Sequence, residues 1–387
     1  MNFELTPDQQ AFVQTARDFA EKELAPNAAR WDAEHHFPVD VIRRAAHLGF
    51  CGIYADPDCG GLGLSRLDAA LIFEQLSQGC TTTAAYITIH NMCTWMVTRF
   101  GNAEQKQQFG DKLTSGEWLA SYCLTEPGAG SDAAALKTRA ERDGESYVLN
   151  GSKMFISGAG ATEILVVMAR TADASEKGGG AKGISTFIVP ANTPGVIFGK
   201  NEEKMGWNAQ PTRAIIFENA RIPASFRIGE EGQGFSFAMK GLDGGRLNIA
   251  SCSLGTAQAA LRAAHRYLQE RKQFGKSLAE FQALQFRLAD MATELQAARL
   301  MVYHAASRLD AGDSDATLHC AMAKRFATDA CFTVCNEALQ LHGGYGYLRD
   351  FPLERMVRDV RVHQILEGTN EIMRLIAARK LLEKDSL

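Results

Sequence analysis

The chain predicts an α+β multidomain fold: an all-helical N-terminal domain at 1–117, a middle β domain at 118–228 and a C-terminal helical bundle at 229–387. Three observations predict it. Apolar residues recur at helical spacing through the first third of the chain. From about Trp118 the period falls to two, with the turn dipeptides Asp143-Gly144 and Asn150-Gly151 between short β-rich runs. Beyond Ile228 helical spacing returns, and Leu284, Leu288, Met291, Leu295, Ala298, Val302 and Ala305 step by four and three, the seam of a helix in an antiparallel bundle.

In chain order, Thr6-Pro-Asp-Gln9 has the form of a capping box with Pro7 at the first helical position, and Phe12, Ala16 and Phe19 follow on one face. Pro26 ends that helix, and a second runs from about Pro38 to Gly49. A glycine-rich loop spans Gly52 to Gly63, and Ser65-x-x-Asp68 opens a third helix. Thr81 to Phe100 carries almost no charge, which predicts a helix buried on most sides. The β-rich runs are Tyr147–Leu149, Met154–Ile156, Ile164–Met168, Ile184–Val189 and Ala214–Phe217. Phe326, Ala330 and Val334 continue the seam on the next helix of the bundle.

At 387 residues and 46% hydrophobic, the chain has ample core for two or three domains. A net charge of −4 supplies no basic field, so nucleic acid and anionic membrane are excluded as expected partners. The start Met1-Asn-Phe-Glu-Leu-Thr-Pro7 resembles neither a signal nor a transit peptide, which reads as a cytoplasmic protein or a mature organellar form such as one of the mitochondrial matrix. Nine cysteines include no Cys-x-x-Cys pair, and no His-Glu-x-x-His occurs, so reduced core thiols and no metal site are expected. Gly178-Gly-Gly180-Ala-Lys-Gly183 matches the dinucleotide fingerprint in letters but leads into a strand, and is read as a loop.

Two stretches carry chemistry. In Tyr122-Cys-Leu-Thr-Glu-Pro-Gly-Ala-Gly-Ser131, the glycines bring backbone N–H groups close to a ligand while Thr125 and Ser131 offer hydroxyls. Near the C-terminus Glu367 stands just before a helix opened by Thr369, Asn370 and Glu371, in a turn that Gly368 permits. Most glutamates so placed are solvated. Here Ile365 and Leu366 are expected to keep water off the carboxylate and raise its pKa toward that of a usable base.

Thr125-Glu-Pro-Gly-Ala-Gly-Ser-Asp132, Arg271-Lys-Gln-Phe-Gly275, Gln340-Leu-His-Gly-Gly-Tyr-Gly346 and Leu366-Glu-Gly-Thr-Asn370 occur in this order and register. Together they resemble the acyl-CoA dehydrogenase family over essentially the whole chain. The resemblance implies a small barrel or sandwich in the middle domain, a C-terminal four-helix bundle and a bound FAD. Tyr122, Cys123, Leu124, Thr125, Gly130 and Ser131, with Phe155, Ile156 and Ser157, would then line the flavin ring and ribityl chain. Phe155 and Ser157 stand where many relatives have Trp and Thr. Arg271, Phe281, Gln282, Gln340, Leu341, His342, Gly343 and Gly344 would hold the pyrophosphate and adenosine, partly from a neighbouring subunit of a homotetramer, and Thr369, Asn370 and Glu371 would contribute. A guanidinium such as that of Arg271 offers a planar fork to phosphate oxygens.

The same resemblance implies that Ser131, Asp243, Gly244, Gly245, Arg246 and Arg379 meet the acyl-CoA substrate, and that Glu367 is the catalytic base. Two glycines in a helical segment suit close approach of a ligand or another backbone. In some relatives the base lies on that helix instead; the matching place here is Gly245, which has no side chain to offer. Leu366, where straight-chain relatives carry Tyr, fits a short branched acyl group. The implied reaction is dehydrogenation of isobutyryl-CoA to methacrylyl-CoA in valine breakdown, with electron-transferring flavoprotein as acceptor; 2-methylbutyryl-CoA and butyryl-CoA are alternative substrates. An oxygen-using flavoenzyme and a flavin-binding protein without dehydrogenase activity are the rival functions.

Overall fold

The computed structural model describes residues 4–172 and 180–383. Met1–Phe3 and the glycines at 178 and 179 of the fingerprint-like loop lie outside them; Gly180–Gly183 is a short 3-10 turn leading straight into a strand.

Helix α1, Pro7–Phe19, starts at Thr6 with the expected reciprocal cap, in which Thr6 Oγ1 accepts from the N–H of Gln9 and the Gln9 side chain accepts from that of Thr6. It continues through a π-helical turn at Ala20–Leu24 and stops just before Pro26, as expected. α2, Ala28–Glu34, was not anticipated; it stands on Trp31, 2% exposed, whose burial outweighs an Arg/Asp/Glu-rich sequence. α3 spans Val39–Ala46, α4 Arg66–Gly79 and α5 Thr81–Phe100, the last buried along almost its whole length as its lack of charge predicts. Two short helices, α6 at Ala103–Gln105 and α7 at Asp111–Thr114, complete the N-terminal part.

The middle part is one eight-stranded sheet: β1 Ala120–Cys123, β2 Arg139–Asp143, β3 Ser146–Ser157, β4 Ile164–Arg170, β5 Ile184–Pro190, β6 Val196–Asn201, β7 Thr212–Pro223 and β8 Arg227–Ile228. The order is β6-β7-β3-β2-β4-β5-β8, with β1 paired parallel to β4. Ile164, Val166 and Met168 face the N-terminal helices while Leu165, Val167 and Ala169 face the sheet's own core, so β4 is an unbroken apolar run. Asp143-Gly144 turns between β2 and β3 as expected. Asn150-Gly151 does not. It lies inside β3 as a bulge, where Gly151 takes φ +141 and a Cβ would strike Thr138, and Asn150 reaches across to Asn219 on β7. The two runs expected at 147–149 and 154–156 are therefore one strand.

The C-terminal part is built on α8, Gly234–Glu270, packed with α9 Gln282–Asp310 and α10 Ala316–Leu341; α11 Leu353–Arg361 and α12 Asn370–Leu382 lie against α10. The seam on α9 is buried from Met291 to Ala305, with Leu284 and Leu288 half-buried at its start. α4 and α5 also pack on α8, so the long helix is the common wall between the N-terminal helices and the bundle. All nine cysteines are free and buried.

Candidate active site

Glu367 lies in the turn between a 3-10 segment, Val362–Gln364, and α12. Its φ of +55 is left-handed, a conformation ordinarily left to glycine, and Gly368 follows at φ +92. Thr369 caps α12, its hydroxyl accepting from the N–H of Ile372 at 3.3 Å. Leading into the turn, His363 is sealed from solvent with Nδ1 2.7 Å from Ser253 Oγ, and burial pulls its pKa down to about 3.

The carboxylate projects at α8. A Cβ on Gly245 would overlap its Oε2, so a residue with any side chain there is incompatible with this position of the carboxylate. Oε2 is buried and has no hydrogen-bond partner among the described residues. Burial raises the Glu367 pKa to about 7, against the opposing positive charges of Lys324 and Arg246. The dry surroundings are not those anticipated: Ile365 is 51% exposed and points away, and only Leu366 packs inward. Tyr54, Tyr122 and Cys252, all buried or nearly so, are the groups that feel the Glu367 charge.

Gly244 and Gly245 sit well inside α8 rather than at its start. A Cβ on Gly244 would overlap Arg66, whose guanidinium stacks 3.6 Å above the Tyr54 ring and 4.8 Å from that of Trp95. Arg246 is buried; it is held by Asp243 at 2.6 Å, and Asp243 in turn accepts from Thr317 at 2.8 Å, while Arg246 Nε has no partner among the described residues. Arg379 is exposed, nine residues into α12 and roughly 14 Å along it from Asn370, so the structure does not bring it to Glu367.

The loop after β1 is pinned by a buried ion pair. Lys153 Nζ donates to Glu126 Oε1 at 2.7 Å and to the Leu124 carbonyl at 3.1 Å, and Glu126 also accepts from the N–H groups of Lys137 and Thr138. Although burial pushes it up, the ammonium holds the Glu126 carboxyl below its usual range. Thr125 accepts from the N–H of Met154, stapling the loop to β3. Gly128 and Gly130 have open space where a Cβ would stand, and Ser131 is exposed beside them. Phe155, at φ +59 on a second bulge of β3, presents a ring 63% exposed; Ser157 lies two residues on, its carbonyl taking Ser121 Oγ. The side chains of Cys123, Leu124 and Ile156 point into cores, leaving only their backbones toward this surface.

The remaining predicted residues gather elsewhere. Arg271, Gln340, Leu341, His342, Gly343 and Gly344 line one cavity of about 410 Å³. Exposed Gln282 begins α9, and Phe281 meets the 93% exposed Phe274 edge-on. This group stands at the far end of α8: roughly 37 Å of helix separates Arg246 from Arg271. A larger cavity, about 500 Å³ and lined by Trp118, Glu163 and Pro190 among others, shares no residue with either group. Asn370 is committed to α10, its amide bonded to Lys324, Thr328 and Asp329, and Glu371 is exposed beside Arg374.

Sequence reasoning did not find Lys324, Tyr54, Arg66 or the Glu126–Lys153 pair. Lys324 carried a signal, since it falls on the face of α10 that Cys320, Ala327 and Cys331 place in the core.

Models of the N-terminal, middle and C-terminal domains of acyl-CoA dehydrogenase match residues 6–117, 121–220 and 232–382. The chain is 56% identical to the mitochondrial isobutyryl-CoA dehydrogenase of Bos taurus, over 98% of this chain and 90% of that one. It is 55% identical to the mitochondrial isobutyryl-CoA dehydrogenase of Dictyostelium discoideum, over 98% and 91%. Among solved structures, butyryl-CoA dehydrogenase from Megasphaera elsdenii superposes with a TM-score of 0.94 at 39% identity, covering 99% of this chain and all of that one. The fold, the three domain matches in order and identity above one half over nearly full length agree: the chain belongs to the acyl-CoA dehydrogenase family.

Proposed function

We propose that the protein is an FAD-dependent acyl-CoA dehydrogenase that oxidises isobutyryl-CoA to methacrylyl-CoA, a step of valine breakdown, in the cytoplasm of a bacterium or the mitochondrial matrix. The observation that carries this reading is the Glu367 carboxylate, seated in the space left by the missing side chain of Gly245 with its pKa lifted to about 7. The α-hydrogen of a thioester is a poor acid, and its removal needs a positioned base whose pKa matches the working pH. Glu367 takes that proton. Among the described residues its backbone N–H has no acceptor, and it donates to the thioester oxygen as charge develops there. Its Oε2 is buried, and Tyr54, Tyr122 and Cys252 are near enough to feel its charge.

The residues fit an FAD. Gly128 and Gly130 leave room for close backbone approach, and the open ring of Phe155 offers an apolar cover. When bound, the flavin supplies the acceptor for the β-hydrogen as hydride, and its electrons pass to electron-transferring flavoprotein. Arg271 and the Gln340–Gly344 turn after α10 line a cavity of their own, with roughly 37 Å of helix between Arg246 and Arg271. They serve the FAD of a second copy, which makes the enzyme a homo-oligomer, a homotetramer in our reading. Leu366 and the Gly244–Arg66 contact favour a short branched acyl group.

An anaerobic titration of the yellow protein with isobutyryl-CoA, 2-methylbutyryl-CoA, butyryl-CoA and isovaleryl-CoA tests this directly. Loss of the oxidised flavin band is expected to be fastest and most complete with isobutyryl-CoA; preference for another thioester would move the substrate and keep the chemistry. Glu367→Gln is expected to retain flavin and abolish bleaching, and substantial residual turnover would sink the assignment of the base.

A further inference from the structure

We infer that Lys324 is a positioning residue for Glu367: from inside α10 it fixes the left-handed turn that carries the base and sets a positive charge beside the carboxylate. The inference rests on Glu367 being the base.

Lys324 is 0% exposed. Its Nζ donates to the Gly368 carbonyl at 2.8 Å and to Asn370 Oδ1 at 3.0 Å. Among the described residues no carboxylate lies within ion-pair distance of it, whereas the other fully buried lysine, Lys153, has Glu126 at 2.7 Å. Lysine is almost never fully buried unless paired, so an ammonium placed here on two neutral acceptors calls for a compensating role. Both acceptors belong to one structure. Gly368 is the second of two consecutive left-handed residues, and its carbonyl belongs to the peptide that joins the turn to Thr369, the cap of α12. Asn370 is the first residue of α12, and its amide is tied to Thr328 and Asp329 of α10. Lys324 and Asn370 thus grip the turn from one side, and Gly245 bounds the carboxylate from the other.

The charges around the pair single out Lys324 further. Electrostatically coupled to one or the other are Arg246 and Cys252 of α8, Tyr54 of the turn between α3 and α4, Tyr122 of β1, Asp329 of α10 and Glu371 of α12. Arg246 is neutralised by Asp243 at 2.6 Å, and Lys324 has no such partner. Burial draws the lysine down to about 8 and lifts the glutamate to about 7, each opposed by the charge of the other. Removing the lysine's charge therefore raises the pH at which Glu367 ionises.

The test is the pH profile of kcat/KM with isobutyryl-CoA for the flavin-loaded wild type and for Lys324→Met, Lys324→Gln and Lys324→Arg, each with a melting curve. In Lys324→Met the acidic limb is expected to move up by about one pH unit, the effect of one neighbouring charge. Activity below the limb then falls about tenfold. Lys324→Gln keeps a donor for the Gly368 carbonyl and so holds the turn where Met does not; it is expected to show the same shift with a smaller loss of melting temperature. Lys324→Arg, which keeps the charge, is expected to bring the limb back toward the wild-type position. Superposable profiles for Gln and wild type, whatever the melting curves do, would reduce Lys324 to a structural plug and overturn the inference. Glu367→Gln run alongside separates the two levels: normal turnover there removes the base itself, and with it dead, unchanged Lys324 profiles remove only the role of the lysine.

Discussion

A methyl group on Gly245 would occupy space that the Glu367 carboxylate already fills. Gly245→Ala is therefore expected to leave the fold intact, because alanine favours a helix, yet to slow flavin bleaching by about 100-fold or more, the usual consequence of displacing a base by about an ångström. Stopped-flow reduction by isobutyryl-CoA measures it. The buried carboxyl also ties stability to pH. Its pKa is lifted from 4.5 in a free chain to about 7, so between those values the folded state binds the extra proton and stability declines as pH rises. Removing the charge with Glu367→Gln should raise the melting temperature at pH 8 and leave it unchanged at pH 4, with a gain of at most about 3 kcal/mol. Glu367 stood out in the sequence through the turn and cap that follow it, and Gly245 through the family resemblance; the structure sets the two against each other. The sequence concealed the surroundings of the carboxylate, because Tyr54, Tyr122 and Cys252, which feel its charge, come from three distant segments while adjacent Ile365 is exposed.

The loop from Thr125 to Ser131 keeps its shape because β3 reaches under it with Lys153. Lys153→Met leaves the Glu126 charge buried without its partner, and a cost of about 3–5 kcal/mol is expected, with weakened flavin retention. Adding Glu126→Gln should recover part of that loss, and urea unfolding of the two variants decides it. Helices with local markers, such as the capping boxes at Thr6 and Ser65 and the uncharged run of α5, were legible in the sequence. The strand β3 was not legible as one piece, since Asn-Gly favours a hairpin and only pairing with β7 turns it into a bulge. β1, β2 and β6 escaped notice for a related reason: they are short or polar, and their pairing partners rather than their composition make them strands.

Over the whole molecule, α8 carries the glycine pair beside Glu367 toward one end and Arg271 just past the other, and the proposed function has one flavin draw these two halves from different copies. Co-assembling Glu367→Gln with Arg271→Ala tests this. Each variant alone is expected to be nearly inactive, while randomly mixed oligomers regain roughly a quarter of wild-type activity, from sites that draw an intact base and an intact arginine from different copies. Failure of complementation despite proven mixing would mean that each chain loads its own cofactor. The nine free thiols bear on how such an experiment is run. All are sealed in cores, where burial lifts Cys51, Cys123 and Cys320 to about 12, so the native chain offers almost no thiolate to an alkylating dye. A single cysteine introduced at an exposed position would then be the one site that accepts a fluorophore, and energy transfer between donor- and acceptor-labelled copies could follow subunit exchange without removing a native residue.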